Sequence, residues 1–285
     1  MANNPLIGWK NLLAFGNDPT VTTGTDSTSN PITNVTNGFM TRPALPIADG
    51  SGTVVVEFTG LNSGFGSFGF GEEGFGLSPF GGVFTADLFI IGAARNNSAG
   101  EHFTGGNVKL ELYDSVSAAW TTVVDTAMPA TANVSQRFLL DPLTGAATSA
   151  RLTITGQTAN SSVRLPELYL GPAITMPFLD LGFDPYIEVS KGNRVDVSTG
   201  RTLRNVRFRR IEVDPSWSNL ERATWEEVDL FREDVIEEAG KFWWLWAPES
   251  APAAVYLVQH DKESAPMPYK SATLRTFRLK LVEAL

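Results

Sequence analysis

The sequence predicts a mainly β protein, with an N-terminal β-sandwich followed by a smaller α+β domain whose one main helix packs on a β-sheet. Three observations carry that prediction. Short runs rich in Val, Ile, Leu, Phe and Thr, bounded by Gly, Asn, Asp and Ser, recur through residues 1–171, several with the period-2 alternation of half-buried strands. A single later stretch has helical spacing. Charge density also shifts: of the 22 Lys+Arg and 31 Asp+Glu, Met1–Leu170 holds only 7 and 13. At 285 residues the chain is long enough for two cores, and the seam is read at Gly171-Pro172, a pair that interrupts strand pairing. The domains are therefore 1–171 and 172–285.

Strands of the first domain are read at Thr53–Phe58, Phe84–Ala93, Asn107–Tyr113, Ala119–Val124, Gln136–Leu140, Ala150–Thr155 and Val163–Leu170. In Asn107–Tyr113, Lys109, Glu111 and Tyr113 face one way and Val108, Leu110 and Leu112 the other, so one face is core and the other wet. Between the first two strands, Gly60–Gly82 is too long for a hairpin. It sets Phe65, Phe68, Phe70, Phe75 and Phe80 among glycines around Glu72 and Glu73. Glycine supplies freedom and Phe supplies contact area, so the segment reads either as a subunit contact ordered by a neighbour or as a flap over its own domain.

The second domain opens with Ile174–Val189 and an Arg-studded strand, Asn205–Val213, whose alternation slips at Arg209-Arg210 as at a β-bulge. Ser218 and Glu221 have capping-box spacing, and Leu220, Thr224, Val228, Phe231 and Val235 recur at three and four, predicting a helix that ends at Gly240. Phe242, Trp243, Trp244 and Trp246 follow; on a strand, Trp244 and Trp246 share a face and Trp243 takes the other. Core packing accounts for at least two of them, and a contact surface or sugar stacking is the use left for the rest. Strands at Ala254–Gln259 and Thr273–Val282 complete the sheet, with Phe277, Leu279 and Leu281 on one side.

Composition narrows the function. A net charge of -9 speaks against a phosphate-binding surface and hence against nucleic acid. There is no Cys, so neither a disulfide nor a thiolate site exists. No run reaches the ~20 apolar residues of a membrane-spanning helix, and Met1–Lys10 lacks signal-peptide character, which predicts synthesis and assembly in a cytoplasm. His102 and His260 are the only imidazoles, and no Gly-x-Ser-x-Gly, His-Glu-x-x-His or phosphate-loop pattern occurs. Glu72 and Glu73, adjacent in a Gly-rich loop, do not form a glycosidase pair. No catalytic residue, cofactor site or committed metal site is expected; Asn34, Asn37 and Asp49 are the residues available to a structural calcium. The acids Glu226, Glu227, Asp229, Glu233, Asp234, Glu237 and Glu238 read as a solvated or partner-facing helix surface.

Asn11-Leu12-Leu13-Ala14, the Thr-rich run Val21–Thr28 and Asn34-Val35-Thr36-Asn37-Gly38-Phe39, followed by Thr53–Phe58, Leu88–Gly92, Asn107–Tyr113 and Arg164–Tyr169, resemble in order the galactose-binding-like jelly roll of discoidin domains. Asn37 stands where Asp is usual. The resemblance implies a lectin-like scaffold over about the first 170 residues and transfers no ligand residues. Ser190-Lys191-Gly192, the strand Arg201–Arg210, the acidic helix, Phe242-Trp243-Trp244-Leu245-Trp246 and Leu281-Val282-Glu283 are similar in order to small tail and baseplate proteins of tailed bacteriophages.

That resemblance implies a structural component of a tail tip or baseplate that resides in the virion. It would assemble as a homo-oligomeric ring with other tail proteins, through Arg207, Arg209 and Arg210, the Phe-Gly loop, and Trp243, Trp244 and Trp246. The alternative is a lectin-like module that adheres to host-surface glycans.

Overall fold

The computed structural model describes residues 4–14, 19–37, 43–61, 84–92, 105–115, 117–128, 135–145, 147–185, 187–196, 202–251, 253–261, 266–271 and 273–284; for 84, 85, 141–145, 190–196 and 202–209 it describes the backbone alone. Two compact units form, Lys10–Ala173 and Met1–Trp9 together with Ile174–Leu285. Strands are numbered in chain order: β1 Leu6–Gly8, β2 Thr20–Thr23, β3 Val54–Thr59, β4 Phe84–Ile91, β5 Asn107–Asp114, β6 Ala119–Ala127, β7 Gln136–Gly145, β8 Ala147–Thr155 and β9 Leu168–Gly171. They continue with β10 Ala173–Thr175, β11 Glu188–Asp196, β12 Thr202–Val213, β13 Ser216–Leu220, β14 Lys241–Leu245, β15 Val255–His260, β16 Arg275–Arg278 and β17 Leu281–Glu283; the helix α1 spans Arg222–Phe231.

Lys10–Ala173 is the jelly-roll sandwich. A five-stranded sheet, β2-β3-β8-β5-β6, faces a three-stranded sheet, β7-β4-β9. Alternation does the sorting: Val54, Val56 and Phe58 of β3, Val108 and Leu110 of β5 and Leu152 and Ile154 of β8 point into one core with Phe89, Ile91, Leu168 and Leu170 of the opposite sheet. Phe89 stacks on Phe138 at 5.5 Å to tie β4 to β7. The predicted strand Val163–Leu170 is shorter. Pro166 lies within it, Val163 N–H and Ala44 N–H instead bond to Pro46 O and Leu165 O at 2.7 and 2.8 Å, and ladder pairing starts only at Leu168.

The other unit holds a seven-stranded sheet, β10-β1-β14-β15-β17-β12-β11, and the pair β13-β16 beside α1. Here the domain boundaries differ from the sequence reading. Leu6, Ile7 and Gly8 pair with Leu245, Trp244 and Trp243, which takes the first nine residues out of the sandwich; three residues are too short for the sequence pattern to reveal such a strand.

Four further expectations are corrected. The capping box does not form, because Ser218 lies in β13 and gives its N–H and hydroxyl to Asp180 at 3.0 and 2.7 Å; Glu221 is the N-cap, with no side-chain bond. After Phe231 the helix widens into a π-helical turn, Arg232–Ile236, and leaves through Ala239 at φ 52. Gly240 is needed for closeness rather than for φ: a Cβ there would lie 3.0 Å from Val235 Cγ1. The bulge sits at Arg207, since Lys191 pairs with Phe208 and Gly192 with Val206, not at Arg209-Arg210. Finally, Thr273–Val282 is two strands in different sheets, divided where Leu279 N–H bonds to Pro215 O at 3.0 Å.

Candidate functional site

The outer face of the five-stranded sheet gathers the one described set of aromatic, charged and hydroxyl side chains that faces away from the sandwich core. Register builds it in three rows. Glu57 of β3 pairs with Arg151 of β8, which pairs with Glu111 of β5, which pairs with Thr122 of β6. One row along lie Thr59, Ser149, Tyr113 and Trp120; on the other side lie Val55, Thr153, Lys109 and Asp125. A register shift between Leu110 and Glu111 in the β5–β6 pair makes Val123 the extra residue of β6 and keeps Trp120 opposite Tyr113 on the outer face.

Glu111 is the centre of the face. Arg151 Nε and Nη2 each stand 3.0 Å from its Oε2, and Lys109 Nζ is 2.7 Å from its Oε1. Only 7% of the residue is exposed. Burial is the largest influence on its carboxyl and pushes the pKa up, but the hydrogen bonds and charges of Lys109 and Arg151 together outweigh it and hold the group below its ordinary value.

Arg151 also lays its guanidinium over the Trp120 ring, 4.1 Å from the centroid, and Trp120 leans on Tyr113 at 5.3 Å and 55°. Arg151 Nη1 is 3.9 Å from Glu57 Oε1, outside hydrogen-bond range. Its N–H groups are thus available to a ligand. The result is a fixed aromatic corner next to a guanidinium and two carboxylates, bordered by the hydroxyls of Thr59, Ser149, Thr122 and Thr153. Such a face can stack an apolar ring surface and bond its polar rim without any bond being made or broken.

The residues singled out from the sequence are described only in part. Phe65, Phe68, Phe70, Phe75, Phe80, Glu72, Glu73 and His102 lie outside the described residues. Arg207 and Arg209 are described only as backbone of β12, and Arg210 pairs with Glu212 at 2.7 Å. Trp243 and Trp244, at 2% and 1% exposure, are interior residues and not contact surface. Trp244 packs edge-on against Trp217 at 5.9 Å, and Trp246, on the same side, packs partly buried on that core. His260 Nδ1 accepts Lys280 N–H at 3.2 Å.

Asn34 and Asn37 bond to each other at 3.3 Å, while Asp49 Oδ1 accepts Ser51 N–H, Ser51 Oγ and Thr53 N–H at 2.8, 2.7 and 2.9 Å as a turn staple. Among the described residues no group of three or more Asp, Glu or His is arranged to hold a metal ion. Sequence reasoning placed Lys109, Glu111 and Tyr113 on one wet face but missed Arg151 and Trp120, which join them only through cross-strand register.

Because Glu111 is held ionised by native contacts, its contribution to stability is present above the ordinary carboxylate pKa and is lost as pH falls through its lower folded value. Glu111→Gln is expected to cost about 2 kcal/mol at neutral pH and to remove that acid-dependent component. Urea denaturation at neutral pH and near about pH 3 measures both.

No protein-family model matches the sequence, and no curated protein matches it. Similar solved structures include chitosan-binding module 1 of a chitosanase/glucanase from Paenibacillus sp. IK-5, with 13% identity and a TM-score of 0.39 over 57% of this chain and 99% of that one. Another is the family 32 carbohydrate-binding module of NanJ from Clostridium perfringens in complex with galactose, with 11% identity and a TM-score of 0.35 over 54% and 93%.

Proposed function

We propose that Lys10–Ala173 is a lectin-like module that binds glycans on the outer face of its five-stranded sheet, and that the chain works by binding rather than by catalysis. The observation that carries this reading is the Trp120 corner. A pyranose has an apolar C–H face and a rim of hydroxyls that both donate and accept. Trp120, fixed by Tyr113 and covered on one face by Arg151, offers its remaining ring surface at low entropic cost to receive the former. Arg151 Nη1, the Glu57 carboxylate and the flanking Thr and Ser hydroxyls offer partners to the latter. Calorimetric titration of the chain with oligosaccharides tests it: Trp120→Ala is expected to weaken binding by at least about tenfold with an unchanged circular dichroism spectrum. Undiminished binding by that variant would move the site elsewhere.

A second reading is favoured by a different observation. In the unit that contains Ile174–Leu285, Phe178 is 68% exposed and Leu181 fully exposed, although the loop that carries them is fastened. Asp180 N–H bonds to Ser216 O at 2.9 Å, the Asp180 carboxylate accepts Ser216 Oγ, Ser218 N–H and Ser218 Oγ at 3.0, 3.0 and 2.7 Å, and Trp217 Nε1 donates to Pro177 O at 3.0 Å. Apolar side chains held out in this way suit a protein contact. The contact favours assembly with a protein partner, and we propose as the second reading a structural component of a bacteriophage tail tip or baseplate, assembled in the host cytoplasm into a ring of the virion. Native mass measurement is the test: the chain should be oligomeric, and Phe178→Asp with Leu181→Asp should make it monomeric without unfolding it. A wild-type monomer would sink this reading.

A further inference from the structure

We infer that the outer face of the five-stranded sheet takes an uncharged sugar and turns away acidic ones; this rests on the glycan-binding reading above. Acidic sugars, whether uronates or sulfated rings, are ordinarily held by an Arg or Lys free to make a charge-assisted pair. Both cations of this face already pair with Glu111, and Arg151 keeps only Nη1 for a ligand. Lys109 Nζ is 2.7 Å from Glu111 Oε1, and Arg151 Nε and Nη2 are each 3.0 Å from Glu111 Oε2. One carboxylate thus pairs with both cations, and two more carboxylates on the face bring its net charge to about -1: Glu57, 3.9 Å from Arg151 Nη1, and the exposed Asp125, which accepts Asn107 Nδ2 at 2.5 Å.

Three carboxylates therefore stand against two cations where the ligand would lie. An incoming carboxylate meets the repulsion of Glu57 and Asp125. It can take Lys109 or the Nε–Nη2 edge of Arg151 only by displacing Glu111, which would strand a buried charge without its partners, and at the remaining Nη1 it lies against the Glu57 carboxylate. A hydroxyl faces neither penalty. It can accept from Arg151 Nη1 and donate to Glu57 Oε1, so the 3.9 Å gap between those two groups becomes a place for an uncharged donor and acceptor. Glu57 is then the residue that sets the discrimination, and Glu111 is the residue that withholds the cations.

The test titrates the full chain with neutral gluco-, galacto- and manno-oligosaccharides and with the matching uronates, in which C6 carries a carboxylate on the same ring. Neutral ligands should bind at least about tenfold more tightly, the ratio should shrink at about 0.5 M salt, and Glu57→Lys should narrow or invert it, with Glu57→Gln intermediate. Uronates bound as tightly as neutral sugars would overturn this inference and leave the glycan reading standing. Binding of neither series would end the glycan reading and the inference with it. If Trp120→Ala abolishes binding while both Glu57 variants leave the ratio unchanged, the discrimination does not come from this ion network.

Discussion

The closure of the sandwich rests on a stitch at Asn11. Its side chain donates Nδ2–H to Leu168 O at 2.8 Å and accepts Leu170 N–H at 3.2 Å, fastening the start of the sandwich to its last strand. Beside it Gly171 packs so closely on the Lys10 carbonyl that no Cβ would fit. The two ends of the sandwich, at Lys10 and Gly171, thus lie side by side.

Tryptophan is distributed unevenly between the two units. Six of the seven tryptophans belong to the unit containing Ile174–Leu285. There Trp217 stacks on Phe277 at 5.8 Å and meets Trp244 at 5.9 Å, while Phe231 sits between Trp9 at 6.1 Å and Phe242 at 4.8 Å. These are interior contacts, worth more as buried area than as recognition. The sandwich has Trp120 alone, and it lies on the outer face under a guanidinium rather than in the core. It is held there by Tyr113 and Arg151, and the core closes without it. The ion network beneath also serves the fold, since it anchors β3, β8 and β5 across their outer faces.

The strands were legible because burial on one face imposes period 2, and Asn107–Tyr113 or Ala150–Thr155 show that period without help from partners. The helix was legible from Val228, Phe231 and Val235, yet its start was not, because Ser218 bonds to Asp180, 38 residues away. Capping chemistry in sequence is a local signal, and a distant carboxylate overrode it. The Trp cluster was legible as a strand with two faces, but the burial of both Trp243 and Trp244 was not, because burial depends on neighbours that spacing does not name. Lys109, Glu111 and Tyr113 could be placed on one wet face from alternation alone. What made them a site was Arg151 from 40 residues further on and Trp120 from the neighbouring strand, positioned by register and by the extra residue Val123. Register is set by pairing, and a single sequence does not display it.

The measurement that bears most directly on the binding face is a crystal structure of the chain with a neutral oligosaccharide bound. The account predicts a sugar ring against Trp120, with hydroxyls on Arg151 Nη1 and Glu57 and with the Glu111 ion pairs intact. A sugar held by loops at an end of the sandwich, with the outer face of β3, β8, β5 and β6 bare, would contradict it.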